Sequence, residues 1–377
     1  VVLEVQTARS CSLAGHNVLD PGSKALIPGL VNAHTHLELS FLSGIYREIS
    51  PGDYLGWVRK VMSRRSEIPE EEIRKAYLES GLRCHREGTA LIGDISNNPS
   101  LQLPDGLRTK NLPVRHLFWE WIGFTIDSAS FPNESEVLNE KIWTGRVSIV
   151  PHAVYSTSSF IIKESKRWCR ERNRPFSIHV GETEEEVMFT REGKGMWRDF
   201  LEELGKWNDR WTPPATTPVK YLDSLGVLDN CTLLVHCLHL DSSDWDVVKK
   251  RGCRVCLCPR SNNTLKTGTI PAREILSRNI PFLLGTDSLA SSPNLNMFEE
   301  AVFLLEHYPD FSPDAVLRAI TGEGNRFFTQ SDACFVEVGF HGRLLAVNVP
   351  EGVSKKELSE HVLYSGSRGE YTWITEN

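Results

Sequence analysis

The chain has 377 residues, 40% of them hydrophobic and 24% charged, with a formal net charge of −7. This is the composition of an ordinary globular protein with ample core, long enough for one α/β barrel plus a small appendage. The acidic balance gives no support to nucleic-acid or anionic-membrane binding, and no apolar run approaches the roughly eighteen residues that a membrane span needs.

Nine cysteines, odd in number and scattered along the chain, fit a reducing cytosol. The first residues lack a basic region followed by an apolar stretch, so no secretory signal is expected and the cytoplasm is the expected location. Cys253, Cys256 and Cys258 form a cluster. They read as small buried strand residues rather than as a zinc site, because no second cysteine pair follows at ribbon spacing.

Taken in chain order, Ala25-Leu-Ile-Pro-Gly-Leu-Val reads as a first buried strand and runs into His34-Thr-His36. Side chains two apart on a strand share a face, so His34 and His36 converge on one point, half of a metal site. Seven further short apolar runs follow, over 90–96, 113–119, 146–152, 175–179, 231–236, 254–259 and 281–287. Amphipathic helical patterns lie between them, among others over 70–87, 158–172, 242–251 and 271–277. Strands separated by helices pair in parallel through right-handed crossovers, and eight such units predict a (β/α)8 TIM-type barrel.

Polar residues close those runs: His34 and His36 the first, His152 the fourth, His179 the fifth, His236 the sixth and Asp287 the eighth. A doubly wound open sheet explains the alternation but not this convergence at one rim. Residues 28–329 are therefore assigned to the barrel. Residues 1–27 and 330–377, with alternating stretches over 1–5, 333–338 and 342–349, are assigned to a small β-sandwich-like domain built from both chain ends. The segment 193–218 carries Trp197, Trp207 and Trp211 after the fifth strand. It reads equally as a lid or substrate wall and as plain packing on the barrel top.

Six motifs in order resemble the metal-dependent amidohydrolase superfamily, in its deaminase and chlorohydrolase branch. They are Pro28-Gly-Leu-Val-Asn-Ala-His34-Thr-His36-Leu, His152-Ala-Val-Tyr-Ser, His179-Val-Gly-Glu182, Val235-His236-Cys-Leu-His239-Leu, Cys258-Pro-Arg-Ser-Asn-Asn and Gly285-Thr-Asp287-Ser. The branch includes S-adenosylhomocysteine/methylthioadenosine deaminases. His34-Thr-His-Leu-Glu-Leu-Ser40 before a Trp57 helix is also similar to aminodeoxyfutalosine deaminases.

The resemblance implies one divalent metal on His34, His36, His179 and Asp287. Three imidazoles and a carboxylate suit Zn²⁺ first and Fe²⁺ second. Pro151-His152 stands where two-metal relatives carry a bridging lysine, so one metal is expected. The implied reaction is hydrolytic deamination of an amino-substituted purine, nucleoside-like or related heterocycle, with activated water attacking the ring carbon and ammonia leaving. Glu182, His236 and Asp287 are the expected catalytic groups. Displacement of another leaving group, such as chloride or an amide amine, is the alternative, and a non-catalytic binding barrel a third.

His152, Glu182, Trp57, Arg64 and Arg65 are the expected substrate contacts, the arginines meeting an anionic tail because no glutamate follows Trp57 before Glu67. Asp94 is expected to brace a ligand imidazole, Glu120 to face the pocket and His239 to be structural. A cytidine-deaminase-type site on His36-Leu-Glu38 and Cys253-x-x-Cys256 is rejected, because more than two hundred residues separate them and no proline precedes Cys253. A small-molecule substrate is expected, with no nucleic-acid or membrane partner, and the resemblance implies a homodimer.

Overall fold

A computed structural model describes residues 22–98, 101, 111–125, 146–328 and 343–374. Parallel strands β2 (Leu30–Thr35), β3 (Thr89–Ser96), β4 (Val114–Trp121) and β5 (Val147–Pro151) form one run in sequence order. Strands β6 (Phe176–Val180), β7 (Thr232–His236), β8 (Arg254–Leu257) and β9 (Phe282–Leu284) form a second. Every residue of β2, β3, β5, β6 and β7 is buried, as expected of strands covered by side chains inside a barrel and by helices outside it.

The two runs close on each other. The His179 N–H donates to the His152 carbonyl at 2.9 Å, and the Asp287 N–H donates to the His34 carbonyl at 3.1 Å. All eight expected strands are present, and the closed ring is the predicted barrel. The crossover helices carry the stop and start signals their sequences suggest. Ser158 caps the helix Ser159–Glu171 by accepting from the Ile161 N–H. Asp241 and Asp244 form a reciprocal capping box on Ser242–Arg251, which Gly252 ends in left-handed conformation.

The first apolar run is not one strand. It breaks at Gly29, where a Cβ would come 2.5 Å from Ala90 Cβ and 2.9 Å from the Trp373 ring. The segment before the break, β1 (Lys24–Pro28), leaves the barrel and pairs antiparallel with β10 (Leu344–Asn348), which pairs in turn with β11 (Tyr371–Ile374). Both chain ends thus contribute to one small antiparallel sheet, though the C-terminal part is not purely β. The helix Leu358–Ser367 connects β10 to β11, with Val362, Leu363 and Gly366 buried. The stretches expected as strands over 1–5 and 333–338 lie outside the described residues.

Candidate active site

Three strand ends, those of β2, β6 and β9, deliver the four metal-ligand candidates to one buried point at the C-terminal rim. His34 and His179 turn their Nε2 atoms towards each other at 3.2 Å, and Oδ1 of Asp287 lies 3.6 Å from His36 Nε2 and 4.0 Å from His34 Nε2. Donor atoms of His34, His179 and His236 also lie within 4.8 Å of one another. Two of these residues sit on strained backbone: His236 at φ 71° and Asp287 at φ 58° are both left-handed. That conformation disfavours residues with a Cβ and persists where surrounding bonds impose it. At Asp287 those bonds are its N–H to His34 and the Thr35 hydroxyl, which donates to its carbonyl at 2.8 Å.

The protonation states follow from burial. Burial and mutual repulsion hold His34 and His152 well below the usual imidazole value and lower His179; burial alone lowers His236, against Asp287 and the bond to Asn262. Burial takes His36 down to about 3, although Asp287 opposes it. The imidazoles are therefore neutral and offer lone pairs. The His179 Nδ1 faces the carbonyl oxygen of His152 at 3.0 Å, which can only accept, so the proton sits there and Nε2 is free to ligate. Burial alone would raise the Asp287 carboxyl. His36, His236 and a hydrogen bond from Ser261 pull it below its usual value instead. Hydroxyls of Ser261 and Ser291 donate to its Oδ2 at 2.6 and 2.9 Å, leaving Oδ1 to face the imidazoles.

Glu182, just beyond β6, is 5% exposed, with Oε1 lying 3.7 Å from His236 Nε2. Burial, reinforced by the Asp287 charge, raises its carboxyl to about 7. A proton donor and acceptor poised near neutrality thus stands beside the donor cluster. The His152 ring lies 4.7 Å from that of His179, with Nδ1 2.6 Å from the Ser156 hydroxyl. Glu120 faces the same cluster from β4, 3.5 Å from His179 Nδ1, and burial raises its carboxyl to about 8.

Several expected contacts fall elsewhere. Arg64 points to solvent and pairs with Glu67 at 3.2 Å, its side chain 45% exposed. Arg65 is engaged by a protein carboxylate: it donates to Oε1 of buried Glu38 at 3.0 Å. The other Glu38 oxygen accepts from the Ser96 hydroxyl and the Asn97 N–H at 2.6 and 3.1 Å. Among the described residues Asp94 braces no imidazole; it takes Arg115 at 2.7 Å, the Tyr77 hydroxyl at 2.6 Å and the Leu37 N–H at 3.2 Å. Trp57 stands at the mouth, its indole N–H donating to the Ala290 carbonyl at 2.8 Å. His239 is structural, bound to the Thr267 carbonyl at 2.6 Å. Cys253, Cys256 and Cys258 are buried and free.

In the tryptophan-rich segment, Trp207 and Trp211 stack on Phe124 and Phe189, which is packing. Trp197 instead stacks on Tyr155 at 3.9 Å, close to the site. The sequence reading missed Tyr54, whose hydroxyl donates to Glu182 Oε2 at 2.8 Å, because a single tyrosine opening a helix carries no spacing signal. It also gave no role to Ser261 and Asn262, although both lie in the motif Cys258-Pro-Arg-Ser-Asn-Asn. Asn262 Nδ2 meets His236 Nδ1 at 3.0 Å.

Comparison with known proteins identifies the family. Residues 25–366 match the amidohydrolase family. Aminodeoxyfutalosine deaminase of Deinococcus radiodurans is 28% identical over 323 residues, covering 82% of this chain and 75% of that protein. The 5-methylthioadenosine/S-adenosylhomocysteine deaminase of Thermoanaerobacter pseudethanolicus is 29% identical over 297 residues, 76% of this chain but only 62% of its own length. A zinc-bound adenosine deaminase from Xanthomonas campestris superimposes with a TM-score of 0.71 at 21% identity, over 93% of this chain and 78% of that one, a likeness of fold. The chain belongs to the amidohydrolase family, as a hydrolase of the branch in which its deaminase relatives stand.

Proposed function

We propose that this chain is a metal-dependent aminohydrolase that releases ammonia from an amino-substituted purine, nucleoside-like or related heterocycle. The observation that carries the reading is the meeting of neutral His34, His36 and His179 with ionised Asp287, beside a carboxyl at Glu182 poised near neutrality. Three imidazole nitrogens and one carboxylate oxygen suit a single divalent cation, Zn²⁺ before Fe²⁺. The chemistry of the donors fits, since the lone pair of His179 Nε2 and the open Oδ1 of Asp287 face the same point. A cation bound there supplies water acidic enough to attack near neutral pH.

The remaining steps belong to the chain's side chains. Asp287 Oδ1 takes a proton from the attacking water. Glu182, protonated in part at neutral pH, gives its proton to the ring nitrogen beside the attacked carbon. His236 carries its proton on Nε2 and donates towards the oxygen of the tetrahedral adduct. Glu182, now a carboxylate, relays to the amine the proton that Asp287 took from water; the carbon–nitrogen bond breaks, ammonia leaves, and the hydroxyl proton of the adduct returns to Glu182 as the carbonyl forms. His152 and Trp57 contact the substrate from the rim in this reading, whereas Arg64 and Arg65 take no part.

The same reading retains a barrel over residues 28–329, with a small unit formed by 1–27 and 330–377. A homodimer in the cytosol accompanies it. In support of that location, the described cysteines are free and all but Cys231 are buried, and no described helix is long and apolar enough to cross a membrane.

The test is elemental analysis and ammonia release on one preparation, with adenosine, 5′-deoxyadenosine, 5′-methylthioadenosine, guanine and aminodeoxyfutalosine as probes. About one metal per chain with ammonia from one of them is expected. Glu182→Gln should keep the metal and lose most turnover. Absence of metal after reconstitution with Zn²⁺ or Fe²⁺ would overturn the reading.

A further inference from the structure

Tyr54 opens the helix Tyr54–Glu67, directly after its N-cap Asp53, and its hydroxyl reaches across 128 residues to donate to Oε2 of Glu182 at 2.8 Å. Tyr54, Leu55, Trp57, Val58 and Val61 of that helix are half-buried and pack on two small apolar clusters, apart from the main core of the barrel. Further contacts around the barrel mouth hold it in place. They are the Trp57 indole on the Ala290 carbonyl, Arg65 on buried Glu38, and the Tyr54 ring between those of Trp57 and Trp197, with centroids 5.6 and 6.0 Å away.

We propose that Tyr54 is a positioning residue that acts through Glu182: it occupies Oε2, so that Oε1 alone carries the proton exchanged with substrate. The inference rests on the role assigned to Glu182 above. A carboxyl has two oxygens and a broad terminal torsion, and left unanchored it samples orientations and shares its proton between both. A hydroxyl donated to Oε2 makes that oxygen the acceptor and directs the acidic proton to Oε1. Oε1 is the oxygen that lies 3.7 Å from His236 Nε2 and faces the donor cluster.

The anchor keeps its direction. Burial, with the adjoining Glu182 charge, raises the Tyr54 phenol well above its usual 10, so it remains a donor across the working pH range. The backbone beneath the acid is fixed separately, by buried Glu186, whose Oε2 accepts the Glu182 N–H at 3.2 Å. Because the anchor rides on the mouth helix and the acid on the end of β6, Glu182 is set for proton transfer only while that helix lies across the site.

A double-mutant cycle tests this, with ammonia release from adenosine, 5′-deoxyadenosine and 5′-methylthioadenosine measured on wild type, Tyr54→Phe, Glu182→Gln and the double variant. Metal content and melting temperature are recorded for each. Tyr54→Phe is expected to lower kcat roughly tenfold to a hundredfold, the reach of one hydrogen bond to a charged group, with KM within about threefold and with metal and melting unchanged. The double variant is expected to be no slower than Glu182→Gln alone. A defect that multiplies in the double variant, one confined to KM, or an unaltered kcat would each overturn the assignment. So would loss of metal or a large drop in melting temperature in Tyr54→Phe, which would make the residue merely structural. Glu182→Gln at the wild-type rate, or no ammonia from wild type, would sink the role of Glu182 itself and is a distinct outcome.

Discussion

Asn262 donates its side-chain N–H to Nδ1 of His236 at 3.0 Å, and this one bond decides which way the imidazole can act. With Nδ1 an acceptor, the proton of the neutral ring lies on Nε2, the atom facing Glu182 Oε1. Asn262→Asp offers an acceptor instead and reverses the tautomer. Turnover should fall by about a hundredfold or more while metal content holds. Steady-state rates with elemental analysis check this, and a variant within twofold of wild type would remove the tautomer argument.

Metal removal should cost stability as well as activity, because a ligand that binds only the folded state stabilises it by mass action. About 4 kcal/mol follows at a free concentration a thousand times the dissociation constant. Chelated enzyme is expected to melt several degrees lower and to recover with Zn²⁺. His179→Ala should bind no metal and show no chelator-dependent shift. Identical calorimetric traces for treated and untreated wild type would contradict the prediction.

Arg64→Ala should leave kcat/KM within about twofold, since the side chain is 45% exposed and pairs one turn along its own helix. Its melting temperature should likewise stay close to wild type. A large rise in KM would instead return this arginine to the substrate.

Glu186 makes stability depend on pH. Burial raises its carboxyl from the ordinary 4.5 to about 8, and its Oε1 has no partner among the described residues. Above the ordinary value the unfolded chain has released this proton while the folded chain still holds it. The protonated group's contribution is therefore complete at low pH and is lost as pH rises towards 8. Glu186→Gln should flatten the decline in melting temperature between about pH 5 and pH 8. An unchanged slope would assign that decline to other groups.

The barrel was legible because its strands are short apolar runs, several closed by a polar residue as in Thr232–His236, with helical periods between many of them. The break at Gly29 was not, because the apolar run continues through it; only Ala90 and Trp373, distant in sequence, require the turn. The helix Leu358–Ser367 was missed because the alternating stretches before it, over 333–338 and 342–349, suggested β-structure throughout. Strand-end position and motif order singled out His34, His36, His179 and Asp287, whose side chains meet at one point. Two of the misassigned residues share a different property. Arg65 and Asp94 are charged side chains whose partners are set by tertiary geometry, and no periodicity records that Glu38 or Tyr77 stands within reach; Arg64 pairs instead with Glu67, three residues on in its own helix.

The seam between β2 and β9 joins the first and last barrel strands, with Thr35 bonded to a carbonyl 252 residues away. His34, His36 and Asp287 straddle that seam, so the donors of the proposed cation site come from opposite ends of the barrel sequence. A chain emerging from the ribosome holds two of them early and waits for nearly the whole barrel before Asp287 arrives. With the donors as proposed, cation capture would come late in the life of each molecule and mark the closing of the ring. Fragments, mispaired halves and partly unfolded copies would lack the complete donor set.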